Sequence, residues 1–562
     1  GDTTLTHTDG SGLTLNSTNK LMFNDASQFI QGSSATVLSL GATDEIDLTA
    51  TAMDFNGTVT ISGDTTLEDG ADLITASAGT SNVRIGVNAG NSIQSGGNFN
   101  VTVGDEAGTA LTTADKSTAV GYGALAAATT AGNNTAVGAN ALGATTGQAN
   151  TGVGEGALES NVAGTFNVAI GANSLDADTT GSKSVAVGYA SLSIQNFTTA
   201  TDGFNVAMGY ESGAAITTGL SNTLVGGQSG DALTDADFNV AVGKEALTTD
   251  TLGSKSVAVG MGTLANQNFT TATDSFNTAV GHIAGNAITT ARFNNLIGGL
   301  AGDALTTGNS NIAIGYNSLG SDTKGENSVA IGDQALATQN FTTATDTYNV
   351  AVGASAGNAV TTGKENTIVG GLAFDANTVG ERNVAIGYKA QSSDVAGWKT
   401  VAIGHGALEN QNFSTATDSF NVAVGHSAGN DVTTGVRNTL IGALAGDALT
   451  DSGSNVAIGF NSMTTNTSGS DNVAVGRGTL ENFNVTTTTS TYNVAIGHEA
   501  GNDITTGTQN TLVGGLAGDA LTAGGSNVAL GTNSLASDTL GSRSIAIGQG
   551  ALFTQNFTTA TN

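Results

Sequence analysis

Five aspartates, Asp231, Asp303, Asp375, Asp447 and Asp519, recur with one fixed period, each number 72 above the last. A second set, Asp202, Asp274, Asp346 and Asp418, keeps the same interval. If three copies of the chain meet, each aspartate could join a ring of carboxylates, which with carbonyls and water is a donor set for Ca²⁺. The competing reading is a row of solvated turn positions. His282, His426 and His498 also share a place in the repeat. Three imidazoles on an axis would suit a transition metal, but Tyr210 and Ala354 hold that place in sister units, so a surface role is expected. Cleavage of a glycan would need paired carboxylates in a groove, and nothing in the sequence marks one pair. No glycine-rich segment carries the lysine of a phosphate loop, and five histidines give little material for a nucleophilic triad. The chain therefore reads as a non-enzyme with no cofactor, and the aspartate rows are its cation candidates.

Aromatic residues recur as well. The segment Gln195–Asp202 (Gln-Asn-Phe-Thr-Thr-Ala-Thr-Asp) returns at 267–274, 339–346 and 411–418, then in altered form at 481–490 and 555–562. Phe197, Phe269, Phe341, Phe413, Phe483 and Phe557 lie in these insertions. Either each ring folds back to cap its own coil, against Phe204, Phe276, Tyr348, Phe420 or Tyr492, or the rings form a row of surface knobs for receptors or lateral packing.

What must position these residues is a repeat. A glycine closing Asn-Val-Ala-Val-Gly or a near variant recurs at Gly209, Gly281, Gly353, Gly425 and Gly497, at the interval the aspartates keep. Within each interval the closing glycines advance by 17, 17, 17 and 21, as at Gly281, Gly298, Gly315, Gly332 and Gly353. There are 27 such motifs between Gly86 and Gly548. Equal spacing of this kind is the signature of stacked coils. The expected fold is all-β, a parallel β-roll or β-solenoid of about 27 coils with 17-residue steps grouped in 72-residue super-repeats. The residue before the glycine is Val or Ile in 25 motifs. It shares a strand face with the Val or Thr two places earlier, and this column is expected to point inward, so that Val424→Asp would destabilise the fold. The small residue between them gives the strand a second apolar face, which needs another surface, most simply another chain. At the third and fourth places beyond the glycine, Ala, Ser or Thr followed by Leu or Gly, as in Thr263-Leu264, Ser318-Leu319 and Ala284-Gly285, suggests a second short strand. Asn begins 21 of the motifs, as a hydrogen-bonded ladder along the stack or as a local turn residue.

Residues 1–80 lack this step and read as a β-rich stem or linking segment, with a strand at 20–23 and a hairpin over 47–62 turning at Asn56-Gly57. Residues 81–204 are coils of irregular register. Residues 205–562 hold five super-repeats: 205–276, 277–348, 349–420, 421–492 and the incomplete 493–562. The chain is expected to be part of a longer polypeptide.

Composition agrees. The 562 residues include 81 Gly and no Pro, and 11% are charged. A backbone stacked on both sides needs nearly every N–H, and proline has none to give. A net charge of −31 argues against nucleic acid or an anionic membrane as partner. With no cysteine, redox chemistry says nothing of compartment. No apolar run is long enough to span a bilayer.

Repeats such as Asn455-Val-Ala-Ile-Gly-Phe-Asn-Ser-Met463 and Ser328-Val-Ala-Ile-Gly-Asp-Gln-Ala-Leu336 resemble the head repeats of trimeric autotransporter adhesins and the stems of bacteriophage tail fibres. The resemblance covers about residues 82–562. It implies a left-handed parallel β-roll in an intertwined homotrimer, with a host-cell receptor or glycan and baseplate or other fibre proteins as partners. Adhesin heads have shorter coils and no 72-residue superstructure, and neither a coiled-coil stalk nor a barrel anchor is present. That tilts the expectation towards a virion tail-fibre shaft. A bacterial cell-surface adhesin is the alternative, and a glycan-cleaving tailspike a third.

Overall fold

The computed structural model describes residues 78–561 throughout and, before them, residues 5–8, 12–15, 21–22, 29–34, 37–41 and 46. The chain forms two compact units, Gly1–Leu73 and Ile74–Asn562. In the first, strands Leu5–Thr8 and Gly12–Leu15 pair antiparallel. Leu21–Met22, Phe29–Ser34 and Val37–Gly41 make a three-stranded antiparallel sheet. Leu21–Met22 lies where a strand was expected. The hairpin over 47–62 falls outside the described residues.

The second unit is a parallel β-solenoid. Twenty-seven three-residue strands, from Val83–Ile85 to Ile545–Ile547, form its ladder. Each pairs in parallel with the strand of the next coil: Val206, Ala207 and Met208 oppose Thr223, Leu224 and Val225. The described residues contain no helix. At about 4.8 Å per step, 26 steps give a stack about 125 Å long.

Side-chain alternation divides each strand. From the second rung on, its middle residue points into the coil and is fully buried, mostly Ala (Ala207, Ala279, Ala351, Ala423) or the larger Leu224, Leu296, Ile368, Leu440 and Leu512. The Val/Ile column points outward. Val422 and Val424 are half-buried, and Ile170, Met208 and Ile297 are exposed. This corrects the inward assignment of the Val/Ile column. So short a coil leaves its interior narrow, and the smallest apolar side chain is the one that fits inside.

Where the interior widens, another glycine explains it. The fourth residue after the closing glycine takes a left-handed conformation in every coil type, as Leu264 (φ 51°) or as Gly285 (φ 58°). A Cβ on Gly285 would lie 2.7 Å from Leu296 and 2.9 Å from Leu264. Leucine at the strand's middle therefore fills the room that a missing side chain leaves. The left-handed backbone also rules out the second strand expected after the glycine, and a turn stands there instead.

The Asn column joins rungs through backbone groups more than through a pure amide ladder. Asn205 Oδ1 accepts the backbone N–H of Asn222 (2.9 Å), and Asn222 Oδ1 that of Asn239 (3.0 Å). Nearly every Nδ2 donates to a carbonyl most of a coil further on, as from Asn222 to Ala236 (2.8 Å), whereas Asn472 donates to Ser470 and Asn455. Both expected roles are thus combined in one residue, with every polar atom of the buried amide satisfied.

Candidate functional site: the wide coils and their flanks

The 21-residue coils depart from the rule, and their departure builds a buried polar network. Asp322, fully buried, accepts backbone N–H bonds at Oδ1 from Gly325 (2.9 Å) and Phe341 (3.1 Å). Its Oδ2 accepts from Gln339 Nε2 (2.6 Å). Gln339 Nε2 also reaches Ser328 Oγ (2.9 Å), and Gln339 Oε1 accepts from Asn349 Nδ2 (2.8 Å). Ser328 occupies an Asn position of the ladder. The wide coil delays the next rung to Asn349, and the inserted glutamine makes the bridge. Asp178, Asp250, Asp394 and Asp538 repeat the arrangement.

One super-repeat exchanges the whole set. There Asn466 stands for the aspartate, Phe483 for the glutamine, and Asn472 for the serine. Phe483 is fully buried, and Asn472 Oδ1 reaches the backbone N–H of Asn493 directly (2.9 Å). Phe483 is therefore not the counterpart of Phe413; Val485 is. Asp322→Ala in the standard set takes the acceptor from the Gly325 and Phe341 N–H groups and leaves Gln339 Nε2 only Ser328 Oγ, and is expected to cost about 3 kcal/mol locally. Urea denaturation followed by amide exchange over the affected coils checks it.

The insertion rings do not form surface knobs. Phe197, Phe269, Phe341 and Phe413 are buried. The Phe197 and Phe269 rings lie over a glycine of the preceding coil: a Cβ on Gly253 would come within 2.8 Å of Phe269. Phe557, in the last coil, has the same seat at Gly541 but is 40% exposed. Phe204, Phe276, Tyr348, Phe420 and Tyr492, by contrast, face outward, each about half exposed. They were expected as partners of the insertion rings.

The aspartate rows separate into two kinds. Asp202, Asp274 and Asp418 form ion pairs with Lys183 (2.6 Å), Lys255 (2.6 Å) and Lys399 (2.7 Å), and Asp346 accepts from Asn327 (2.6 Å). Those lysines also lie over the Phe204, Phe276 and Phe420 rings, 5.2 Å from each centroid. Asp231, Asp303, Asp375, Asp447 and Asp519 recur every fourth rung, about 19 Å apart along one chain, too far for two to share an ion. No group of three potential metal ligands occurs among the described residues.

Partial burial raises the pKa of all five above the ordinary aspartate value. Asp231 and Asp447 accept a hydroxyl hydrogen bond from the next rung, Thr248 and Thr464 (both 2.5 Å). Gly320 stands at that place beside Asp303, whose Oδ1 is buried without a partner. An acid whose pKa is raised on folding binds protons better in the folded chain. Its destabilising effect is absent below about pH 4, grows as pH rises through the raised value, and is complete above it. Asp303→Asn is thus expected to melt higher than the parent at pH 7 and alike at pH 3.5, as circular dichroism would show.

The histidine column holds one member that a search at the super-repeat period misses. His405 is on the rung next to His426, and their rings stack 5.1 Å apart. Tyr388 continues the stack at 5.4 Å. These rings are exposed, and His498 contacts Arg477 (3.0 Å).

No family model, curated protein or solved structure matches the chain. Fold and surface define an all-β repeat solenoid, a form compatible with a structural, fibre-like protein.

Proposed function

We propose that the chain is a structural fibre protein, the shaft of a phage tail fibre, working as a homotrimer that projects a receptor-binding end for host attachment. The observation that carries this reading is the outward Val/Ile column. It runs along the ladder from Val83 to Ile547, apolar at the place before every closing glycine and joined by Val or Ile two places earlier on two thirds of the rungs, over an area on the order of 1,000 Å². A lone soluble chain rarely leaves so much continuous apolar surface in water, and three copies facing a common axis would cover it. Stability would accumulate coil by coil, which suits a mechanical spacer. On this reading the work is adhesive, without catalysis, and the protein sits in the virion.

A cell-surface adhesin head is the second reading, favoured by the same motif. Gold-labelled antibody against the purified chain, applied to the source culture, separates the two. Label on tail fibres supports the shaft; label confined to the bacterial surface overturns it in favour of the adhesin.

A further inference from the structure

The super-repeats are nearly identical where they carry the stack. The ladder position of Asn239 is Asn in its counterparts Asn167, Asn311, Asn383 and Asn455, and that of Gly243 is Gly at 171, 315, 387 and 459. Beside each wide coil the rule breaks. The places of Asp235, Asp237 and Arg292 are taken in sister units by Ala163, Thr165 and Leu220, and by Thr307, Asn309 and Lys364. Further on they are Val379, Glu381 and Val436, then Asp451, Gly453 and Thr508. One backbone shelf is thus presented five times with five different linings. Packing does not require this variation, since the coils above and below are the same.

On the second shelf the lining borders an open groove of about 580 Å³, between Asp235, Asp237, Ser254, Thr273, Asp274 and Arg292. That volume lies in the range of small-ligand sites. Its groups are held from behind. Asp235 Oδ1 accepts from Thr218 Oγ1 (2.6 Å) and Asp237 Oδ1 from the Leu220 N–H (2.7 Å), which leaves the second oxygen of each for a ligand. Arg292 rests over the Phe293 ring at 4.7 Å and donates through Nε to the Asp274 carbonyl (3.1 Å), so its terminal nitrogens remain available. Phe293 in turn stacks on Phe276 at 5.9 Å. Lys255 already neutralises Asp274. Two carboxylates against one guanidinium leave the groove with a single net negative charge, and with acceptors and donors side by side.

We infer that this groove binds a short neutral oligosaccharide. Vicinal hydroxyls can donate to the free oxygens of Asp235 and Asp237 while a neighbouring sugar oxygen accepts from Arg292. A strongly charged ligand would leave one sign of group unpaired. The inference goes beyond the fibre reading and does not require it, since every residue belongs to one chain.

The test uses the full chain and labelled neutral probes of four to six hexoses: dextran, laminarin, mannan and galactan fragments. Alginate fragments and pentalysine serve as charged comparators. At least one neutral probe is expected to bind saturably, and Asp235→Ala with Arg292→Ala to weaken it at least tenfold with unchanged melting. Thr508→Ala on the fifth shelf should leave binding as it was. Failure of every neutral probe, equal binding by the double variant, or tighter binding of alginate or pentalysine overturns the assignment. A chain that proves monomeric yet binds the sugar would retain this site and lose the fibre reading.

Discussion

Ala423→Asp is expected to destabilise its coils by about 4 kcal/mol or more, while Val424→Asp, one residue away, leaves the melting of a single solenoid nearly unchanged. Ala423 is fully enclosed between Ala402 of the rung before and Leu440 of the rung after. A carboxylate there has neither water nor a partner, the costliest single change in a core. Val424 looks out from the same strand and is half-buried. Its replacement puts a charge on the face assigned to the neighbouring chains, so its effect belongs to assembly. Amide exchange over residues 401–441 reads the first effect, and solution mass reads the second. Equal destabilisation of the isolated chain by both would show the strand to be oriented the other way.

Gly353→Val is expected to be nearly as severe. The closing glycines all have φ between 117° and 147°, a region that costs a side chain about 1–3 kcal/mol in backbone strain alone. A Cβ at Gly353 would also lie 2.6 Å from the carbonyl carbon and oxygen of Gly370 on the next rung. Those atoms are backbone and cannot turn aside, so the two rungs must part, for a total of about 4 kcal/mol or more. Gly227→Ala is the control. Its Cβ would meet nothing within 4 Å, and the change should stay within about 0.5 kcal/mol. Thermal melts of the three proteins side by side decide the matter; a Gly353 variant that melts with the control would refute the close backbone approach.

The coil period was legible because it resides in spacing: one glycine with a unique backbone requirement, and one small side chain that fits inside. Which apolar column faces inward was not legible. Val-Ala-Val offers two apolar faces, and hydrophobicity favours the larger side chains for the core; only the coil's width decides for alanine. The buried aspartates 178, 250, 322, 394 and 538 were passed over for a related reason. Their partners lie a full coil away in sequence and adjacent in space, and an acid in a Thr/Gly-rich turn looks solvated. A signal was nonetheless present. Where Asp gives way to Asn466, Gln gives way to Phe483 and Ser to Asn472 in the same unit, a joint exchange that marks three residues in contact. Phe483 misled for the same reason, since it sits two places ahead of the register of Phe413. The Phe197 and Phe269 rings point inward because a glycine on the preceding coil leaves each a seat.

The central claim is that the outward Val/Ile column is the meeting face of three chains. Light scattering behind a sizing column measures it most directly. The account predicts a particle of three times the chain mass of 55.1 kDa, falling to the single-chain value in the Val424→Asp variant. A parent protein that already elutes at the single-chain mass would contradict it and leave a lone solenoid whose apolar face has another use.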